Sequence, residues 1–248
     1  MCRSATLAAG PSAAGGFAST GGGASLELLE GKVLPGVASR WDNEGNQKFT
    51  FHLRPDARWS NGDPVRAADF VYGWRKLVDP EEAATFAWFA QLAHFDKVDE
   101  IVEGKLPPEA LGVQALDDHT LQVTLSQPVP YFLSLLTHPS LSPLHQASME
   151  QYGNQWTQPG KLVGNGAFVL KEWQVNSKVV LAKNPQYWDN KNVQLTRVTY
   201  LPIEDGFADV KMFLSGENDW VYQLPPGTYE KYKAELPKDI RNAPMLGL

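Results

Sequence analysis

Polar and apolar residues alternate through Lys48-Phe49-Thr50-Phe51-His52-Leu53, the period-two pattern of a half-buried strand. Trp59-Ser60-Asn61-Gly62-Asp63-Pro64 follows as a turn, because Asn-Gly supplies the tight bend and Pro stops any continuing ladder. From Ala67 to Leu77 the period lengthens, and Phe70, Val71, Trp74 and Leu77 fall on one helical face. Val113 to Leu125 reads as two short strands around a hairpin-type turn at Asp117-Asp118. Short helices are expected over Pro130–Leu136 and Gln146–Tyr152, with proline-rich joins between them.

Asn165-Gly166-Ala167-Phe168 opens a second strand-rich stretch, continuing through Val169–Trp173 and Val179–Lys183. Val198–Pro202 reads as a buried strand, and a helix is expected from about Gly206 to Ser215. Gly216-Glu217-Asn218-Asp219 then turns the chain into Trp220-Val221-Tyr222-Gln223, and a last helix spans Tyr229–Glu235. Strands and helices alternate without an internal repeat, which predicts a mixed chain of the α/β or α+β class. The start of the chain differs. Residues 1–28 are mostly Gly, Ala and Ser, with no strand or helix period and no charged start followed by an apolar stretch. Such a tract buries too little surface to offset its ordering entropy, so it is expected to be disordered.

Composition narrows the function more than the fold. The net charge of −6 is spread along the chain, without the basic stripe that a nucleic-acid binder carries. Cys2 is the only cysteine, which excludes an internal disulfide. Eight Trp, eight Tyr and eleven Phe are many for 248 residues; most such rings fill cores, and a minority line ligand clefts. Catalytic signals are missing. There is no Gly-x-Ser-x-Gly elbow, phosphate loop or dinucleotide fingerprint. The histidines His52, His94, His119, His138 and His145 are scattered, and His138 and His145 straddle a proline-rich stretch, so they form no helical ligand pair. Asp117-Asp118 and Glu81-Glu82 sit in turns or at helix starts, where acids cap and solvate. No catalytic residue, cofactor or metal site is expected.

The most informative stretch is LPGVASRWDNEGNQKFTFHLRPDARWSNGDPVRAADFVY, from Leu34 to Tyr72. It closely resembles the signature of the family-5 extracellular solute-binding proteins, the peptide- and nickel-binding cluster. That signature runs Pro-Gly-x-Ala-x-x-Trp, a Thr-Phe-x-Leu-Arg strand, an Asn/Asp-Gly-x-Pro turn and an Ala-x-Asp-Phe helix start. Further blocks are similar to the oligopeptide-binding branch, which includes the murein-tripeptide binder. They include Val78-Asp79-Pro80, Asp118-His119-Thr120-Leu121, Pro128-Val129-Pro130-Tyr131-Phe132, Trp156-Thr157-Gln158-Pro159-Gly160 and Tyr200-Leu201-Pro202-Ile203. The likeness runs from about Leu29 to Leu236.

That resemblance implies a periplasmic-binding-protein type II clamp which closes on an extended peptide and is periplasmic, without enzymatic activity or cofactor. Oligopeptides would be its ligands and the permease subunits of an ABC transporter its partners, with no nucleic acid. The clamp is expected to be incomplete. Residues 29–164 would form an accessory domain and 165–248 part of the first lobe, with the second lobe lying beyond Leu248. Impaired or absent peptide binding by the chain alone follows. Alternatives within the resemblance are murein tripeptide, a nickel chelate or haem as solute, or a non-catalytic interaction module completed by another chain.

Five residues are candidate ligand contacts under the resemblance. Phe86 stands where relatives often carry Tyr, and Gln223 stands where they often carry Asn. Trp88, Phe89 and Tyr222 are neighbours that either line the cleft or pack the core. One departure has a physical consequence. Arg66 occupies the place where Thr normally caps the first helix, and because Arg cannot accept a hydrogen bond the helix start should lose about 1 kcal/mol.

Overall fold

The computed structural model describes the backbone of residues 4–8 and the whole of residues 37–240. Cys2 and the remainder of the 1–28 tract lie outside the described residues. Two four-stranded sheets organise the fold. The first takes β2 (Ala38–Glu44), β3 (Lys48–Leu53), β4 (Val113–Asp117) and β5 (Thr120–Thr124) in the order β2-β3-β5-β4, all antiparallel. The second takes β1 (Ser4–Ala8), β6 (Phe168–Gln174), β7 (Lys178–Lys183) and β8 (Arg197–Leu201) in the order β1-β8-β7-β6. The fold class is mixed α+β, with helices segregated from antiparallel-rich sheets.

The alternation read in β3 is what the packing uses. Phe49, Phe51 and Leu53 are buried, and Lys48, Thr50 and His52 are partly exposed. Helix α1 (Ala67–Val78) covers the sheet, with Phe70, Val71, Trp74 and Val78 buried beneath it. Phe95 and Phe132 lie against Trp74 and Phe49, at ring-centroid distances of 5.2 and 4.9 Å, and complete a core of interlocked aromatics. Burying each such ring is worth about 2–3 kcal/mol. Trp74 also donates its indole N–H to the Leu141 carbonyl at 2.8 Å, which removes the penalty of burying that donor. Gly112 is needed where β4 begins, since a Cβ there would lie 2.6 Å from the Thr124 carbonyl oxygen.

Two of the expected features differ in the structure. Ser4–Ala8, inside the tract expected to be disordered, is a strand paired in parallel with β8 from Ser4↔Arg197 to Ala8↔Leu201. A five-residue backbone ladder needs no hydrophobic period of its own when an edge strand offers matching donors and acceptors. The strand expected to be buried at Val198–Pro202 is β8, of which only Val198 is buried. The remaining helices are short: α2 (Ala87–Leu92), α3 (Val98–Val102), α4 (Phe132–Leu135), α5 (Gln146–Tyr152), α6 (Gly206–Ser215) and α7 (Tyr229–Glu235).

The cap at α1 is half-formed. Arg66 has the extended backbone of a cap residue (φ −119°, ψ 160°), and its N–H donates to Asp69 Oδ2 at 2.8 Å. The reciprocal bond to the N–H of Asp69 needs a side-chain acceptor, which the guanidinium lacks; it pairs instead with Asp118 at 3.3 Å. Contacts also tie the 60s turn to the second sheet region. The Ser60 N–H donates to the Gly164 carbonyl at 2.8 Å, and the Arg54 guanidinium lies 4.1 Å over the Trp188 ring.

Candidate functional site

An aromatic shelf forms around α2. The chain leaves α1 through a 3₁₀ turn at Pro80–Glu82, where Asp79 accepts from the Glu81 N–H at 3.0 Å, and Ala83 takes a left-handed conformation. This sharp exit aims the next segment back over α1. On α2 the buried side holds Phe89 and Ala90, followed by Ala93, whereas Trp88 and Leu92, one turn apart, point outward. Phe86 is 41% exposed and Trp88 48%, so two large rings stand in solvent beside a well-packed core.

His138 supports this shelf from a loop almost fifty residues further on. Its ring is stacked on Phe89, with centroids 4.0 Å apart and planes 22° from parallel, and lies 5.4 Å from Phe86. Phe86 and Trp88 are 6.3 Å apart and tilted, and Trp88 meets Phe89 edge-on at 5.7 Å. The His138 Nδ1 accepts from the Ser140 N–H at 3.3 Å, so the proton of the neutral ring sits on Nε2. Burial holds the His138 pKa below its ordinary value of 6.5. A neutral imidazole therefore lies under the shelf near neutral pH, leaving the ring faces free of a competing cation.

Tyr222 and Gln223 occupy a different element, the connection between α6 and α7, where both are exposed. Trp220 beside them is 50% exposed. The structure thus brings Phe86, Trp88 and Phe89 into one cluster and sets Tyr222 and Gln223 on a second surface. Phe89 is buried and supports the shelf from below, and Phe86 and Trp88 present it. His138 was not legible in the sequence as part of this cluster; the one local signal is His-Pro ahead of a 3₁₀ turn, which marks a cap. A separate groove of about 520 Å³ runs along α1, lined among others by Tyr72, Arg75, Lys76 and Gln114, and none of the five predicted residues borders it.

Exposed flat rings bind by stacking and by attracting cations over their faces, and they activate no bond. Among the described residues no three His, Cys, Asp or Glu side chains gather as a metal site. Exposed rings of this kind offer a solute a surface on which to stack.

The chain belongs to the bacterial extracellular solute-binding proteins, family 5, matching that family's middle region over residues 32–248. It is similar to the periplasmic oligopeptide-binding protein OppA of Salmonella typhimurium, with 48% identity over 225 residues, 90% of this chain and 41% of that protein. It is also similar to the periplasmic murein peptide-binding protein MppA of Escherichia coli, with 43% identity over 218 residues, 88% of this chain and 40% of that protein. The solved murein tripeptide binding protein MppA of Escherichia coli superposes with a TM-score of 0.81 at 44% identity, covering 84% of this chain and 41% of that one. Haemophilus influenzae OppA, solved in complex with the peptide RPPGFSPFR, superposes at 0.80 with 43% identity, covering 84% and 41%. The fold is that of the type II periplasmic binding proteins, and this chain spans about two-fifths of the length of these relatives.

Proposed function

We propose that the chain binds oligopeptides as the solute-binding component of an ABC peptide importer, working in the periplasm and delivering peptide to membrane permease subunits. The observation that carries this reading is the exposed pair Phe86 and Trp88, held over the neutral stack of Phe89 and His138. Two relatives named for oligopeptide and murein peptide binding, and a solved relative holding a peptide, support it. Residues 29–164 serve as an accessory domain and 165–248 as part of the first lobe. In this arrangement Phe86 and Trp88 stack against ligand side chains, and Gln223 with Tyr222 supplies polar contacts to the peptide main chain. These 248 residues, matching about two-fifths of that relative, are proposed to bind peptide more weakly alone than the whole relative does.

Thermal melting of the chain with a tri- to pentapeptide mixture tests the reading. Peptide at about ten times Kd stabilises the folded state by about 1.4 kcal/mol through mass action, a midpoint rise of about 3–6 °C for a chain of this size. The rise should shrink in Trp88→Ala. A midpoint that stays fixed up to saturating peptide refutes binding by this chain.

A further inference from the structure

After α6 the chain doubles back on that helix. Gly216 ends it in a left-handed conformation (φ 77°), which glycine adopts without steric cost. The N–H groups of Glu217 and Asn218 both donate to the Met212 carbonyl, at 2.8 and 3.3 Å. That return places the Asn218 side chain against a residue nine positions earlier. Its amide donates to Asp209 Oδ1 at 2.6 Å and to the Asp209 carbonyl at 3.3 Å. Both residues are buried, Asn218 to 3% exposure and Asp209 to 6%. The Asn218 Oδ1 is buried without a partner, so the pair is held by the two bonds that the amide donates, and losing them leaves the Asp209 carboxyl desolvated and unpaired. The next five residues are Asp219, Trp220, Val221, Tyr222 and Gln223, a largely exposed segment that ends in the two residues proposed above to contact peptide.

We propose that Asn218 is a positioning residue for the 219–223 segment, acting through its buried bond to Asp209; the role in ligand binding rests on the peptide reading above. The bond pins the root of the segment to the helix while Trp220 and Tyr222 stay exposed. Without it, the root of the segment keeps the backbone bonds of Gly216, Glu217 and Asn218 to the end of α6 but loses its side-chain tie to Asp209. Burial also raises the Asp209 pKa, which the Asn218 bond partly offsets, in keeping with a carboxyl that relies on this amide for its solvation.

Hydrogen exchange resolved to the 219–223 segment, in free chain and with tripeptides, tests the proposal in wild type, Asn218→Leu, and the exchanged pair D209N/N218D. In Asn218→Leu the segment's amides should exchange roughly tenfold faster while β3 and α1 are unchanged, since loss of one buried bond frees a local unit. The exchanged pair restores the amide–carboxylate bond but not the bond to the residue-209 carbonyl, since a carboxylate cannot donate, so it should recover part of the wild-type protection, which a packing role for Asn218 would not. Peptide-induced protection should follow the same order. Wild-type exchange rates in Asn218→Leu, or rates in the exchanged pair no slower than in Asn218→Leu, overturn the proposal. If the exchange pattern holds and peptide protects no variant, wild type included, the positioning role stands and the peptide reading falls.

Discussion

His145 donates a hydrogen bond from Nε2 to Asp63 Oδ2 at 3.0 Å, joining the start of α5 to a turn 82 residues earlier. Its Nδ1 accepts from the Ser148 N–H at 3.1 Å, so one neutral ring caps a helix with one nitrogen and anchors the Asn61–Pro64 turn with the other. The ring also meets Trp59 edge-on at 5.2 Å. The Asp63 carboxyl sits below its ordinary pKa, first through the Asn61 amide and then through His145.

His145→Ala removes the cap, the turn anchor and the contact with Trp59, and should destabilise the chain by about 2 kcal/mol. His145→Asn keeps a capping acceptor and should recover about half of that. Urea denaturation of both variants checks the order, and equal loss in the two would deny the cap any part in it.

The pKa of Asp69 moves in the opposite direction to that of Asp63. Burial raises its pKa, although the Arg66 N–H and the Trp59 indole both donate to Oδ2. A carboxyl raised in the folded state contributes most stability below its ordinary value of 3.8 and loses that contribution as pH rises through the elevated value. An amide oxygen can accept both bonds without charge. Asp69→Asn should therefore flatten stability between about pH 4 and 7 and raise it near neutrality by up to about 1 kcal/mol. Chemical denaturation across that pH range decides it; a variant weaker at every pH would show that the ionised form is needed.

Arg66→Thr supplies a side-chain acceptor to the N–H of Asp69, which here donates to the Arg66 carbonyl at 3.1 Å, on a backbone already extended for capping. The exposed Arg66–Asp118 pair that it removes is worth little at the surface. A net gain of about 1 kcal/mol is expected, read as a higher urea midpoint with unchanged slope.

His138 is the titrating member of the aromatic shelf. With its pKa held below 6.5, stability is fully present above that value and declines as pH falls through the lowered one, because a charged ring must then be buried on Phe89. His138→Phe keeps a stacked ring and should remove this acid-side decline. Melting curves between about pH 5 and 7 that are parallel for the two proteins would place the titration elsewhere.

The residues that specified local structure were readable because their signals are short-ranged. Alternation in Lys48–Leu53, the helical face of Phe70 and Trp74, and the hairpin at Asp117-Asp118 all depend on neighbours within a few positions. The signature from Leu34 to Tyr72 likewise named the family. Elements without a period were silent: β2 pairs with β3 along a mostly exposed face, and α2 is a six-residue helix with no side-chain cap.

By itself, then, the chain's pattern determined the order of the elements it marked, a mixed α/β or α+β class and the solute-binding family, since propensity, turn chemistry and family motifs are written in consecutive residues. Which rings became core and which became surface was decided only by tertiary structure. Phe89 is buried while Trp88 and Tyr222 are exposed, although the sequence left all three open between cleft and core. The stack of His138 on Phe89, the bond from His145 to Asp63 and the parallel pairing of Ser4–Ala8 with β8 join residues far apart in the chain. Contacts of that kind depend on how the sheets and helices meet, because a ring or donor finds its partner only after the backbone has brought distant segments within a few ångströms.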